Sequence, residues 1–262
     1  MQPQATNTIG ELPMLSRGPW QMTYGERAAL EGMLAQLRPA LAIEIGTAEG
    51  GSLSRVAAYS DEVHSFDLVA PRLPVGGYDH VTLHAGDGHK LLPEFLAEQA
   101  QAGRNVDFVL VDGDHSTAGV KRDIVDLLES DAVGDTLIVL HDTINEVVRA
   151  GIDAVDYEAY DKVRAYDPDS VPGTMSIHDT AYGQLWGGIG VIVCSRSPLD
   201  LGLAGPRVKN CVSPTNVGLG ARALAGPGVE QHTDFVELVD QLKSSRPKIL
   251  RSTRFSLIRR QT

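Results

Sequence analysis

The chain has 262 residues, of which 42% are hydrophobic and 22% charged, with a formal net charge of −11. That balance suits one large α/β domain with a full core, or one domain with an elaborated end, and its acidity argues against a nucleic-acid binder, which needs a basic face for phosphates. Cys194 and Cys211 are too few for a disulfide scaffold, no apolar run is long enough to span a bilayer, and the N-terminus shows no signal-peptide core. A cytoplasmic protein without membrane or nucleic-acid partners is expected.

Residues 1–22, with Pro3, Pro13 and Pro19, read as an arm. It ends in Trp20 and Met22, which either staple the next helix or close over a cofactor. Thr23 and Glu26 make a capping box, and Ala28, Leu30, Met33, Leu34 and Leu37 follow at helical spacing up to Pro39. Leu41 to Ile45 is the first strand. It carries Glu44 and runs into Gly46-Thr47-Ala48-Glu49-Gly50-Gly51-Ser52, a tight turn into a helix marked by Leu53, Val56 and Ala57. Gly46, Gly50 and Gly51 allow positive φ and close approach of a ligand. Glu44 stands at the carboxyl end of its strand, where open α/β sheets bind ligands. The dinucleotide pattern G-x-G-x-x-G fails at Ala48. A carboxylate at Glu44 would repel a pyrophosphate but suit a cationic or hydroxylated ligand.

Val63 to Phe66 is a second strand ending in Asp67. A carboxylate about 20 residues past a glycine loop is placed for ribose hydroxyls, which serves NAD and S-adenosylmethionine (SAM) alike. Residues 70–79 read as a loop, Val81 to Ala85 as a third strand, then Gly86-Asp87-Gly88 and a helix over 89–101, which Asp87 is placed to cap. Val106 to Val111 is nearly all apolar, as in the centre of a parallel sheet, and ends in Asp112-Gly113-Asp114-His115-Ser116 before a helix over 117–129. Gly134 to Leu140 is a fifth strand, ending in His141-Asp142-Thr143. These strand–helix units predict an α/β, doubly wound, mostly parallel sheet with helices on both faces and every acid-rich turn along one edge.

Residues 144–187, with His178, Tyr182 and Trp186, break the rhythm and are expected to carry substrate specificity. Gly188 to Cys194 returns as a strand with Cys194 as a core residue, so the main domain spans 23–195. The extension 196–262 holds a Gly- and Pro-dense stretch over 197–230 and a helix from Asp234 to Lys243. Its basic tail (Lys243, Arg246, Lys248, Arg251, Arg254, Arg259, Arg260) either docks on its own or a partner subunit's surface or is solvated.

Glu44-Ile45-Gly46-Thr47 with Gly50-Gly51-Ser52 resembles motif I of the class I SAM-dependent methyltransferases. D-G-D-H-S after the fourth strand and H-D-T after the fifth resemble a branch with metal-dependent sugar O-methyltransferases of macrolide and aminocoumarin pathways and relatives grouped with cephalosporin hydroxylase. The resemblance covers about residues 20–195. It implies a Rossmann-like fold and SAM bound by Glu44, Gly46, Thr47, Gly50, Ser52, Asp67 and Asp112, with Asp87 on the adenine amino group. A divalent cation, Mg²⁺ first, would sit on Asp112 and Asp142. A proton acceptor would be Asp114 as in the relatives, or His141, which stands where the relatives have an acid and is the favoured base. His115 is a further candidate base or adenine neighbour. Asp114, His141 and Asp142 also fit helix caps.

The chain is similar, too, to mycobacterial O-methyltransferases of methylmannose polysaccharide synthesis, which implies a mannoside or oligosaccharide acceptor. Aromatic residues are only 5% of the chain, so stacking platforms are few and a sugar is favoured over a phenol or catechol. The rivals of another class are an NAD-dependent oxidoreductase, opposed by Ala48, and a non-catalytic SAM-binding protein. A homodimer is the expected assembly.

Overall fold

In a computed structural model that describes residues 20–69, 78–175 and 184–199, alternation along the strands sorts side chains onto two helical layers. The first helix, α1 (Tyr24–Leu37), starts at the Thr23–Glu26 capping box. β1 (Leu41–Ile45) is buried at every position. Ile43 and Ile45 point to one face and Ala42 and Glu44 to the other, the period of two that a pleated strand imposes. The second face is covered by α1 and α2 (Gly51–Tyr59), through Leu30, Leu34, Leu53 and Val56. The first face is covered by α3 (Gly88–Gln101), α4 (Thr117–Glu129) and α5 (Glu146–Asp153), through Leu92, Phe95, Ile124, Leu127 and Ile152.

The remaining strands are β2 (Glu62–Asp67), β3 (Val81–Ala85), β4 (Phe108–Val111), β5 (Thr136–His141), β6 (Val163–Val171), β7 (Thr174–Met175), β8 (Leu185–Trp186) and β9 (Ile189–Cys194). Six of them join β1 in one seven-stranded sheet in the order β3-β2-β1-β4-β5-β9-β6, and β7 and β8 form a separate pair. β1 to β5 run parallel, and β9 lies antiparallel to both β5 and β6. The strand order reverses between β1 and β4. A crevice at the carboxyl ends of those two strands is where such sheets take ligands.

The expected α/β fold is present, and Cys194 is buried in the core. Residues 144–187 differ from expectation, because they contain α5 and β6. Asp167-Pro168-Asp169 lies inside β6 and hid its strand pattern, since proline cannot donate to a ladder. β6 survives as an edge strand with register shifts at those residues. Residues 1–19 of the arm, residues 70–77 of the loop, His178, Tyr182, the extension beyond 199 with its helix, and the basic tail lie outside the described residues. Among the described residues no helix is long and apolar enough to cross a membrane.

Candidate active site

The glycine turn closes directly onto the end of β4. Gly46 has φ +92°, and a Cβ there would lie 2.1 Å from the Asp112 carbonyl oxygen, so only glycine fits. Gly50 (φ 71°) precedes α2, whereas Gly51 is helical, and the other left-handed residue is Ala48 (φ 45°). Asp67 holds this turn: one carboxylate oxygen accepts the backbone N–H of Thr47 (2.8 Å) and of Ala48 (3.0 Å). Those N–H groups, with that of Val69, outweigh burial and keep the Asp67 carboxyl below its ordinary value.

Glu44 is fully buried rather than presented to a ligand. Its two oxygens accept the hydroxyls of Ser52 (2.7 Å) and Ser65 (2.9 Å), and Ser65 is joined in turn to the Thr47 hydroxyl at 2.7 Å. Burial pushes Glu44 up to about 8, against the two hydroxyls and with help from the Asp112 and Asp67 charges. For an acid raised in the folded state, stability falls as pH rises. The loss begins near the ordinary value of 4.5, ends near 8, and amounts to on the order of 5 kcal/mol. Glu44→Gln keeps the shape and removes the charge. Urea denaturation at pH 5 and pH 8.5 should show a much smaller loss of stability in the variant than in the parent. An unchanged pH dependence would mean that Glu44 is ionised without penalty.

Asp112, at the end of β4, and His141 and Asp142, at the end of β5, meet His115 from the turn after β4. His115 Nε2 lies 3.3 Å from an Asp112 oxygen and 3.4 Å from an Asp142 oxygen. One ligand atom from each of Asp112, His115 and Asp142 falls within 4.8 Å of the others, the one metal-capable group among the described residues. His141 lies beneath: Nδ1 is 3.0 Å from Asp112, and Nε2 is buried, without a hydrogen bond, 3.7 Å from Glu26. Burial raises Asp142, opposed by His141 and reinforced by Asp112; burial also opposes Asp112, but His141 and His115 hold that carboxyl below its usual value. His115 is raised, first by its hydrogen bond with Asp112.

His141, the expected general base, is buried between Asp112 and Glu26. Burial disfavours its charged form, yet Asp112, Glu26 and Asp142 lift it well above an ordinary imidazole. Its Nδ1 faces Asp112, and its side chain is 4% exposed against 40% for His115. Asp114, the other expected base, is not part of the cluster. It accepts the Ser116 N–H at 2.7 Å and faces His89 across the starts of α3 and α4.

The capping alternatives separate cleanly. Asp87 caps α3 by accepting the His89 N–H at 3.1 Å. Ser116, not Asp114, caps α4, and Asn145, not His141 or Asp142, caps α5.

Two contributors went unread in the sequence. Glu26 was legible only as a cap, yet it also accepts the Gly188 N–H and faces His141. Trp186 was read only as part of the insertion. It lies against His115, with ring centroids 5.7 Å apart. The signal available was Trp186-Gly187-Gly188, an aromatic ahead of a glycine pair and a strand. Both glycines are left-handed (φ 76° and 86°), and Gly187 N–H donates to Asp142 at 2.5 Å.

Residues 43–143 match the model of a methyltransferase domain. That stretch, less than half of the chain, contains both the glycine turn and the Asp112–Asp142 cluster. No curated protein matches the sequence. Similar solved structures include an O-methyltransferase from Bacillus cereus in complex with SAH, 14% identical with a TM-score of 0.47, covering 64% of this chain and 80% of that one. Another is the O-methyltransferase TomG from Streptomyces achromogenes, involved in tomaymycin synthesis and in complex with SAM (13%, TM-score 0.45, 66% and 81%). A third is the MycE methyltransferase of the mycinamycin biosynthetic pathway in complex with Mg, SAH and mycinamycin VI (15%, TM-score 0.47, 72% and 53%), about half of whose length this chain spans.

Proposed function

We propose that the protein is a SAM-dependent O-methyltransferase acting on a hydroxyl of a sugar or glycoside, a mannoside in the first instance, with Mg²⁺ held by Asp112 and Asp142. The observation that carries this reading is the contact between Gly46 and Asp112 at the point where strand order reverses. It makes the glycine turn and the carboxylate pair neighbours, as transfer between two bound molecules needs.

The donor set fits the cation. Two carboxylates with room for water are a common Mg²⁺ site, and imidazole is a poorer ligand for so hard an ion. Bound there, the cation would orient the acceptor and make its hydroxyl more acidic. SAM would supply the methyl group. Asp67 fixes the turn that lines the donor side, and Glu44 supports it through Ser52 and Ser65. His115 is the open imidazole beside the carboxylates, so proton removal is assigned to it; His141 orients Asp112 from below.

The test is transfer of labelled methyl from SAM to mannosides, other sugars and catechols across a Mg²⁺ titration. His115→Ala should lower kcat by about 10²–10⁴-fold, the usual worth of a general base, and leave the Mg²⁺ dependence unchanged. A variant that mainly needs more Mg²⁺ would make His115 a ligand instead. Binding of NADH but not SAH, by calorimetry, would replace the methyltransferase reading with the oxidoreductase one. Tight SAH binding with no transfer to any acceptor would favour the non-catalytic reading.

A further inference from the structure

We propose that the indole of Trp186 is the surface on which the acceptor's sugar ring stacks, beside Asp112 and Asp142. This rests on the methyl-transfer reading above and adds the acceptor's binding site to it.

Trp186 is half-buried and belongs to neither apolar core, unlike Trp20, which is buried among α1 and α2. Its ring meets that of His115 at an interplanar angle of 61°, which sets it over the rim of the carboxylate cluster. The chain holds it there by several independent bonds. Gly187 N–H donates to Asp142, and the Gly187 carbonyl accepts the Ile144 N–H at 3.2 Å. Asn145 Nδ2 donates to the Leu185 carbonyl at 3.3 Å, and Trp186 pairs with Thr174 across β7 and β8. The indole N–H donates to Gln184 Oε1 at 2.9 Å, which fixes the ring's orientation. The residues flanking the carboxylate pair and those carrying the indole are therefore tied together by backbone and side-chain hydrogen bonds.

A half-buried indole held beside carboxylates matches a pyranoside on both counts. The ring's C–H face is apolar and lies on the indole, while its hydroxyls are donors for Asp112 and Asp142. A flat phenol needs a second apolar wall, and His115 is the only ring in contact with Trp186 among the described residues.

The chain has two tryptophans, so the difference in emission between the parent and Trp186→Phe isolates Trp186. SAH binding is first measured by calorimetry on both. With Mg²⁺ and SAH present, methyl α-mannoside, methyl α-glucoside and catechol are each titrated. A saturable change in the difference emission with a glycoside but not with catechol is expected. Trp186→Ala should raise the KM for the glycoside about tenfold, the worth of one aromatic contact, with kcat and SAH affinity nearly kept and Trp186→Phe intermediate. A response to catechol alone, or an unchanged KM in Trp186→Ala, overturns the proposal. Loss of SAH binding in the parent would instead remove the methyl-transfer reading, while a glycoside response there would leave the stacking surface standing.

Discussion

Asp142→Asn is expected to reduce methyl transfer by about 10²–10³-fold, the several kcal/mol that a catalytic cation supplies, while leaving the fold intact. The substitution is unusually clean. Asp142 has φ 55°, a left-handed conformation that asparagine also adopts readily. The amide oxygen of asparagine can still accept the Gly187 N–H that Asp142 Oδ1 accepts now. Only the charge is lost, and burial, helped by the Asp112 charge and only partly opposed by His141, already disfavours that charge. Apparent Mg²⁺ affinity should therefore fall while thermal stability without metal stays level or rises. The check pairs calorimetric Mg²⁺ titration with thermal melts in EDTA. Full activity in the variant with ordinary Mg²⁺ dependence would remove Asp142 from the cation site.

Gly46→Ala is expected to destabilise the fold by on the order of 4 kcal/mol, because two separate penalties apply. The residue sits at φ +92°, and its added Cβ would meet three backbone atoms, those of Asp112 and Gly113, at 2.1, 2.5 and 2.7 Å. Backbone cannot swing aside as a side chain can, so β1 and β4 must part at the point where the two halves of the site touch. SAH affinity should fall with stability. Gly32→Ala is the control: Gly32 lies inside α1 with nothing within 4 Å of the added Cβ, so it should stabilise by about 0.5–1 kcal/mol. Urea denaturation of both variants checks the pair. Near-parental stability of Gly46→Ala would mean that the turn does not close on Asp112.

The parallel strands were legible because their signals are local: short apolar runs, each ending in an acid and a turn. The meeting of Asp112 with His141 and Asp142 followed as well, since adjacent parallel strands deliver their ends to one edge. What stayed hidden depends on long-range contact. Glu26 was visible as a cap because its partner Thr23 is three residues away; its second partner, Gly188, is 162 residues away and leaves no trace in spacing. The expectation for His141 came from its ordinary chemistry, and burial between Asp112 and Glu26 changes that chemistry. Glu44 was read as ligand-facing because it ends a strand, but strand alternation points it at Ser52 under α2. β6 was missed because Pro168 and its flanking acids contradict a strand unless the strand lies at an edge.

The insertion of β9 between β5 and β6 sets the order in which the molecule can be completed. A ribosome delivers β1 to β5 first, and until residues 189–194 emerge β5 has no partner on its outer side. During that interval Thr136, Ile138 and Leu140, whose backbone groups point away from β4, are unpaired and offer an open template for another nascent chain. The same late strand brings Gly188 to Glu26 and Gly187 to Asp142. Assembly of the cluster is thus coupled to closure of the sheet, and a chain that stalled before β9 would be both sticky and inactive.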